Sequence, residues 1–538
     1  MAASMPFSVP LQGGLNKSTN SLALLRTPGV ATKLRNFEVS IEGGYRRING
    51  YTLYGGSSAA RPNSSNPILG LFVYADGVIA ASGTNLYFTL DGTSWLQINR
   101  SSVSGSGDNY STFTGRSTAT RTSQSYANFT LFEGNTTYGE VVITDIGSGA
   151  KPALFKMTGT GNLSDRTFFY EEITVSGTHY PKFCTIHDKH LVVAGAATAP
   201  NTIFYSGTSD INDFTSTGSG SIVLDDQVVG LQSFRGDLII FCKNSIYKLT
   251  NINDPNSIAI TPITQNVGCL DGRSIQEIGG DLIFLSPDGF RLVAGTARIG
   301  DVELSSVSRQ IQSIVASLAS NIGSLVISSA VLRSKSQYRL FYSASSASTT
   351  TAKGIIGTIT PQGFEWSETI GIQAHGFTSG FDNDSVEQIY HGDKDGYVYN
   401  HNTGNSFNPA GTETNIDARY KTPNLDFGDA GTLKTLHYTK ISFTPEGTVQ
   451  PTLKITYDFD DTNRPQPPNY TLDSIPTPAV FGDSTFNTAV FGASQDPMAR
   501  QAVQGSGHNI AFKIFSQDTN APYSINGFYV DYRPSGRR

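Results

Sequence analysis

The sequence repeats one short unit, in which β-prone apolar runs alternate with tight turns, at an interval of 45 residues. Copies begin near residues 183, 228 and 273, and related units occupy Leu69–Gly92 and, in part, Glu387–Asn402. Their turns carry pairs such as Asp76-Gly77, which hairpin turns favour. Four-stranded blades of β-propellers have periods of about 40–50 residues. The spacing therefore predicts an all-β chain that folds as a β-propeller.

The central strand of each unit is apolar almost throughout, as in Leu191–Ala194, Leu238–Phe241 and Leu282–Leu285. A strand that is covered on both faces loses the usual polar alternation. Each meander cannot bury both of its faces alone, so we expect the units to stack around a common axis. Counting the units between residues 67 and 402 favours about six blades, and five or seven remain compatible with the sequence.

Changes in composition and in the pattern of apolar residues divide the chain into three parts. Residues 1–33 are polar and rich in turn residues, which predicts an extended N-terminal arm. Residues 34–402 hold the propeller, with a polar Ser/Thr/Gly-rich loop insertion near 101–125 and one short amphipathic helix within 301–319. Residues 403–538 return to alternating strands and predict a β-rich, sandwich-like C-terminal domain with a long loop at 461–500.

Charge and cysteine content narrow the possible functions. The chain has 38 Lys and Arg against 44 Asp and Glu, a formal net charge of −6, whereas general nucleic-acid binders are usually basic. Its three cysteines, Cys184, Cys242 and Cys269, are far apart and predict reduced core thiols rather than disulfides. The sequence starts without a signal-peptide pattern and holds no apolar run of membrane-spanning length, so we expect folding in a cytosol and no membrane insertion.

Several local patterns invite a chemical interpretation, and each is better explained as a turn. Thr89–Trp95 resembles the aspartate-box turn of sialidase-type propellers, and Asp393–Gly396 begins like a calcium loop but lacks its later ligands. The acids of Tyr457–Asp461 fit a strand end, and Arg235-Gly236-Asp237 fits the repeated turn. His187 and His190 flank a turn without zinc spacing. We therefore predict no enzyme activity, no catalytic or metal residues and no cofactor.

The stretch Leu34–Tyr54 combines two glycines, Gly43 and Gly44, with the basic pair Arg46 and Arg47. It lacks the spacing of a phosphate-binding loop, and the residues that follow it are β-prone. It therefore predicts a hairpin, the first of the propeller. We expect the two arginines to form a salt bridge or a contact with a neighbouring subunit rather than a DNA-binding patch.

Two neighbouring stretches, Asp226–Leu249 and Val267–Val293, contain Gly-Asp and Asp-Gly turns. The order in which these turns follow one another along the chain is unusual. Together with Arg35–Tyr51, these stretches resemble the tail nozzle (tail tubular, or DNA-stabilisation) proteins of short-tailed bacteriophages. The resemblance covers roughly residues 10–400 and does not extend to the C-terminal domain.

The resemblance implies a structural virion protein in the phage tail, assembled in the host cytoplasm. It implies a homo-hexameric ring below the portal and adaptor, tail fibres as further partners, and a lumen through which double-stranded DNA is retained and ejected. Two alternatives stay open: a carbohydrate-binding or carbohydrate-processing β-propeller, and another tail or baseplate component such as a fibre-attachment protein.

Overall fold

The computed structural model describes residues 4–63, 66–98, 110–113, 126–134, 137–145, 151–177, 179–293, 306–463, 465–473, 475 and 498–537. Apart from 110–113, the predicted insertion near 101–125 lies outside these residues, as does most of the predicted loop 461–500. None of the helices in this described part is long and apolar enough to cross a membrane.

Strands of the N-terminal segment and of the first four blades follow one another along the chain. The N-terminal strands are β1 (Met5–Pro10), β2 (Lys33–Arg35), β3 (Phe37–Val39), β4 (Tyr45–Arg47) and β5 (Tyr51–Leu53). The first two blades contain β6 (Ile68–Tyr74), β7 (Gly77–Ser82), β8 (Asn85–Thr89), β9 (Leu96–Gln97), β10 (Tyr110–Phe113), β11 (Ala127–Phe132), β12 (Glu140–Asp145), β13 (Ala153–Thr158) and β14 (Thr167–Glu172). The next two contain β15 (Phe183–His187), β16 (His190–Ala196), β17 (Ala199–Tyr205), β18 (Gly220–Val223), β19 (Val228–Phe234), β20 (Asp237–Cys242), β21 (Ile246–Thr250) and β22 (Ala259–Thr264).

The remaining blades and the C-terminal domain complete the strand order. The blades contain β23 (Gln276–Ile278), β24 (Asp281–Ser286), β25 (Gly289–Leu292), β26 (Leu325–Leu332), β27 (Gln337–Ala344), β28 (Lys353–Thr360), β29 (Gly363–Ile370), β30 (Gly376–Phe381), β31 (Glu387–Gly392) and β32 (Val398–His401). The C-terminal strands are β33 (Ile416–Lys421), β34 (Thr432–Pro445), β35 (Thr452–Tyr457), β36 (Tyr470–Thr471), β37 (Met498–Ala502), β38 (Ser506–Gly507), β39 (Ile510–Asp518) and β40 (Tyr523–Arg537). The amphipathic stretch forms α1 (Gln312–Ser320), and Val315 and Leu318 on its inner face are buried as the stripe predicts.

The β-propeller prediction is confirmed, and six separate sheets of three to five strands form its independent blades in the described chain. The meander β26–β29 fills one more sector of the ring between β23–β25 and β30–β32, and its sheet continues into the C-terminal domain. Neighbouring sectors contact each other through β6, β11, β15, β19, β26 and β30. A 3-10 turn at Gly272–Ser274, just before β23, contacts both β19 and β26, and β30 contacts β6, so the ring closes. N-terminal strand β5 pairs with β32 and completes the last blade.

The residues that set the 45-residue spacing form consecutive blades, beginning at Phe183, Val228 and Gln276. Every residue of β16 is buried, and five of the six residues in each of β20 and β24 are buried. Adjacent blades cover these strands on both faces. The apolar central strands therefore have the position that their composition predicts.

The C-terminal domain consists of two packed sheets, as the sandwich prediction expects. One contains β3, β4, β40, β34 and β37, with β1 and β38 alongside; the other is the nine-stranded sheet β26-β27-β28-β29-β2-β33-β39-β35-β36. Phe512 of the second sheet meets Phe528 of the first at 4.9 Å between ring centroids. The inward residues of both sheets belong to the largest apolar core of the protein.

Strand pairing divides the N-terminal residues differently from the sequence boundary at residue 34. Strand β1 pairs with β40, β2 pairs with β33, and the hairpin β3–β4 joins the sheet of β40. The predicted hairpin at Leu34–Tyr54 exists, but it belongs to the C-terminal sandwich rather than to a blade. Local patterning predicts a strand without naming its partner, because the pairing depends on contacts far apart in the chain.

Candidate functional site: the axial cavity and the Glu38 cluster

Innermost strands of the blades converge around a cavity of about 250 Å³ on the propeller axis. Blade ends at the centre of a propeller present backbone and side chains from several strands to one point, which makes this the natural place for a site. Its polar lining is Asn128, Gln232, Arg273, Gln276, Ser328, Ser329 and His375, and its aromatic lining is Tyr126, Phe129 and Phe377.

Arg273 is the charged group of this cavity, and Asp271 fixes its orientation. The Asp271 carboxylate accepts from Arg273 Nε at 3.0 Å and from its terminal nitrogen at 2.7 Å. The guanidinium carbon lies 4.4 Å from the centroid of the Tyr126 ring, a cation–π arrangement. Ser329 also donates to the Arg273 carbonyl at 2.6 Å, so two blades hold this residue.

His375 lies on the same lining and is 3% exposed. Burial, with a smaller contribution from the nearby cations Lys394 and Arg273, lowers its pKa to about 4. Neither ring nitrogen has a hydrogen-bond partner among the described residues. His375 is therefore a neutral imidazole at pH 7.

The cavity has hydrogen-bonding groups, one cation and aromatic faces, which suit a small polar ligand. Hydrolysis of a glycosidic bond needs two carboxyl groups about 5–10 Å apart. The described lining holds no aspartate or glutamate, so such a pair would have to come from elsewhere in the chain. No group of three or more His, Cys, Asp or Glu suited to a metal ion occurs among the described residues.

A second polar centre, the Glu38 cluster, lies where the N-terminal hairpin meets the propeller. Glu38 is 2% exposed and accepts from three cations: Arg46 at 2.8 Å, Lys335 at 2.7 Å and Arg339 at 2.7 Å. Burial alone would raise the pKa of Glu38, but the three cations outweigh it and lower the pKa to about 2. Burial lowers the pKa of Lys335 to about 8 against the attraction of Glu38.

The two arginines of the opening motif make contacts within this chain. Arg46 joins Glu38 to Glu446, which accepts from its Nε at 2.5 Å and its terminal nitrogen at 2.6 Å, so the predicted salt bridge is confirmed. Arg47 is fully buried. Because its guanidinium is enclosed by its own chain, Arg47 cannot face a neighbouring subunit, which corrects that part of the prediction. A subunit contact through Arg46 stays a prediction.

Arg47 also has a clear internal role. Its guanidinium donates to the backbone carbonyls of Asn405, Asp518, Asn520 and Ala521. These carbonyls lie after the last blade and beside β40, so one side chain ties the propeller exit to the C-terminal sandwich.

The other sequence candidates are dispersed and form turns. Asp91 accepts from the Thr93 backbone N–H at 2.8 Å, and Asp393 accepts from the N–H groups of Asp395 and Tyr397. His187 and His190 bond to different partners, Ser233 Oγ and the Ser206 carbonyl. Residues Asp458–Asp460 have positive φ at the end of β35, and Arg235–Asp237 forms the turn between β19 and β20. The three cysteines are free and buried, as predicted.

Sequence reasoning missed the partners of both centres. Glu38 and Arg339 lie 301 positions apart, and no local motif marks either residue. Arg273 and Asp271 lie close together in a repeat that the sequence shows. Their position beside Tyr126 at the propeller axis depends on how the blades are arranged. An acidic residue in an apolar strand, as Glu38 is between Phe37 and Val39, was the one available signal of a buried ion pair.

No protein-family model matches the chain, and no curated protein matches it in sequence. Among solved structures, it is similar to the exo-β-1,3-galactanase of Phanerochaete chrysosporium bound to β-1,3-galactotriose: 10% identity over 92% of this chain and 100% of that chain, TM-score 0.27. It is also similar to BamB of Moraxella catarrhalis: 12% identity over 63% of this chain and 96% of that chain, TM-score 0.32. At these scores neither likeness bears on activity. This chain is a β-propeller protein with a C-terminal β-sandwich.

Proposed function

We propose that this protein is a structural component of a short-tailed bacteriophage virion, a tail nozzle. In this role it forms a homo-hexameric ring below the portal and adaptor, contacts tail fibres, and surrounds the channel through which double-stranded DNA is retained and ejected. It is assembled in the host cytoplasm and carries no catalytic residues or cofactor.

The observation that best supports this role is the nine-stranded sheet, which runs without interruption from β26 in the propeller to β36 in the C-terminal domain. Main-chain hydrogen bonds therefore join the two domains across β29, β2 and β33. The Glu38 cluster and Arg47 add buried polar contacts at the same junction. A part that holds pressurised DNA must resist relative domain motion, and this junction suits that load.

The residues that carry the family resemblance also agree with the role. Asp226–Leu249 contains strands β19–β21 of one blade, and Val267–Val293 contains strands β23–β25 of the next. In each blade a Gly-Asp turn, Gly236-Asp237 or Gly280-Asp281, connects the first two of these strands, so the two turns hold equivalent positions.

The role is tested by locating the chain in a particle. A phage that encodes the chain with a small C-terminal tag is imaged by cryo-electron microscopy. We expect six tagged subunits in a ring directly below the adaptor. A particle without this chain in its tail would overturn the proposal, and the same chain at a fibre base or baseplate would assign it to the other tail component.

A carbohydrate-binding propeller is the second candidate, and the axial cavity favours it. Arg273, Gln232 and Gln276 offer hydrogen bonds beside the Tyr126 ring, a combination that suits a sugar. A glycan array and a panel of fluorogenic glycosides distinguish the two functions. Specific binding that Arg273→Gln abolishes, or turnover that a single carboxylate change abolishes, would favour the carbohydrate role.

A further inference from the structure

One face of the C-terminal part of the nine-stranded sheet carries an unusual row of lysines. Lys33 of β2 lies directly opposite Lys421 of β33, Lys421 opposite Lys513 of β39, and Lys513 opposite Lys454 of β35. Directly opposed residues of a sheet point to the same side. Four lysines on four adjacent strands thus form one row across the sheet.

A second, shorter row runs beside the first. Arg35 of β2 lies directly opposite Arg419 of β33, and Arg419 lies opposite Phe515 of β39. We call these two rows the basic face; its cations are Lys33, Arg35, Arg419, Lys421, Lys454 and Lys513. The intervening residues, such as Leu34, Ala418 and Ile514, point inward and are fully buried.

The charges of the basic face are poorly balanced. Arg35 and Arg419 share the carboxylate of Asp417, at 3.4 and 2.5 Å. Among the described residues, none of the four lysines forms an ion pair, although Asp417 and Glu368 lie near enough to Lys33 to attract its charge. Burial lowers the pKa of Lys513, and the neighbouring cations Arg419, Lys33 and Lys454 lower it further against the attraction of Asp417.

Directly opposed like charges destabilise a sheet, so folding alone does not favour this arrangement. It stands in a chain whose net charge is −6. A surface that concentrates cations against both tendencies suits a polyanion, because the ligand supplies the missing negative charge.

A cavity of about 440 Å³ extends the basic face at its β2 edge, between that strand and α1. Lys17 and Lys353 join Lys33 and Arg35 in its lining, together with Glu368, whose carboxylate accepts from Lys17 Nζ at 2.6 Å. The lining also offers hydroxyl groups from Thr32, Ser313, Ser317 and Tyr342. Cations with hydroxyl donors are the groups that contact phosphate oxygens in protein–DNA complexes.

We propose that the basic face binds the phosphate backbone of double-stranded DNA. Three strand spacings give the lysine row a length of roughly 14 Å, which matches about four phosphates along one strand of a duplex. Lysine is depleted in protein–protein interfaces, so a lysine row is a poor docking surface for another protein.

A duplex fits better than a single strand. Non-specific single-strand sites stack bases on successive aromatic rings. The two rows contain one aromatic side chain, Phe515. The Lys513 ammonium lies over its ring, 4.6 Å from the centroid. The face therefore offers phosphate contacts without a stacking ladder, and binding is expected to be independent of base sequence.

The inference deepens the proposed function by assigning a DNA-contacting surface, and it rests on that function only for the choice of DNA as the polyanion. It is tested on the purified full-length chain with a labelled 20-base-pair duplex, by fluorescence anisotropy over a series of KCl concentrations. The test variant is Lys421→Gln/Lys513→Gln. The matched control is Lys189→Gln/Lys243→Gln, which removes the same charge from exposed positions in two blades.

We expect the face variant to lose about tenfold in affinity for each charge near 0.1 M salt, and its salt slope to fall by about two. The control is expected to bind like the unaltered chain. The thermal midpoint of the face variant should be equal or higher, because two repelling charges are gone; a loss of affinity therefore cannot be attributed to unfolding.

Three results would overturn the assignment: no duplex binding at 50 mM salt, equal weakening in the face and control variants, or tighter binding of a single strand of the same length. Binding of polyglutamate in place of the duplex would assign the face to an acidic protein and overturn it as well. The position of the chain in a particle tests the proposed function separately, so either idea can fail alone.

Discussion

Glu38 and Arg339 form a buried ion pair, with 2.7 Å between Glu38 Oε2 and an Arg339 terminal nitrogen, across 301 residues of sequence. Glu38 belongs to the hairpin that joins the C-terminal sandwich, and Arg339 belongs to β27 of the propeller. Lys335 and Asn402 bond in the same centre. The ion pair therefore fixes the N-terminal hairpin to the propeller strand β27.

Glu38→Gln is expected to lower the free energy of unfolding by about 3–5 kcal/mol, because it leaves buried cations without their common partner. The measurement is urea denaturation followed by tryptophan fluorescence. The control is Glu42→Gln, since Glu42 is exposed in the same hairpin and should change stability by less than about 0.5 kcal/mol. Equal effects of the two changes would contradict a central role for the cluster.

Acid should destabilise the protein through the same residue. The pKa of Glu38 is about 2 in the folded state against an ordinary value of 4.5. A depressed carboxyl pKa stabilises the fold above pH 4.5, and that contribution, on the order of 3 kcal/mol, is lost as pH falls toward 2. Stability curves between pH 6 and 3 should be steeper for the unaltered chain than for Glu38→Gln. Parallel curves would show that other groups govern the acid limb.

The two glycines of the opening hairpin should differ sharply when replaced by alanine. Both have positive φ, so each replacement costs about 1 kcal/mol from the backbone. A Cβ on Gly44 would lie 2.6 Å from the Ile525 carbonyl oxygen, whereas a Cβ on Gly43 would meet nothing within 4 Å. We expect Gly44→Ala to lower the thermal midpoint clearly more than Gly43→Ala. The opposite order would mean that β4 does not pack on β40 as described.

The three cysteines should resist modification in the folded protein. Burial raises the pKa of Cys184, Cys242 and Cys269 to about 12, so the reactive thiolate is scarce at pH 8. Ellman's reagent should label fewer than one thiol per chain under native conditions and three in guanidinium chloride. Rapid native labelling of one cysteine would locate a blade that opens, and single Cys→Ser variants would identify it.

Pattern along the sequence was enough to predict the propeller. The 45-residue interval indicates a repeated unit, the Asp-Gly turns indicate hairpins, and the apolar central strands indicate strands that are covered on both faces. The amphipathic stripe ending at Leu318 likewise predicted α1, because the burial of a helix face depends on residues within a few turns. The alternation of apolar and polar residues after residue 403 predicted the sandwich, because each strand of a two-sheet sandwich has one buried and one exposed face.

Tertiary structure alone decided what these strands pair with and where charge accumulates. Nothing near Lys33 indicates that Lys421, Lys513 and Lys454 will stand in line with it, since the row exists only after four distant strands have paired in register. The same holds for Glu38 and its cations, and for Arg47, which the sequence shows only as the neighbour of Arg46 in a basic pair. Pairing between distant strands is set by the sum of many contacts, so a single sequence shows the faces of each strand but not its neighbours.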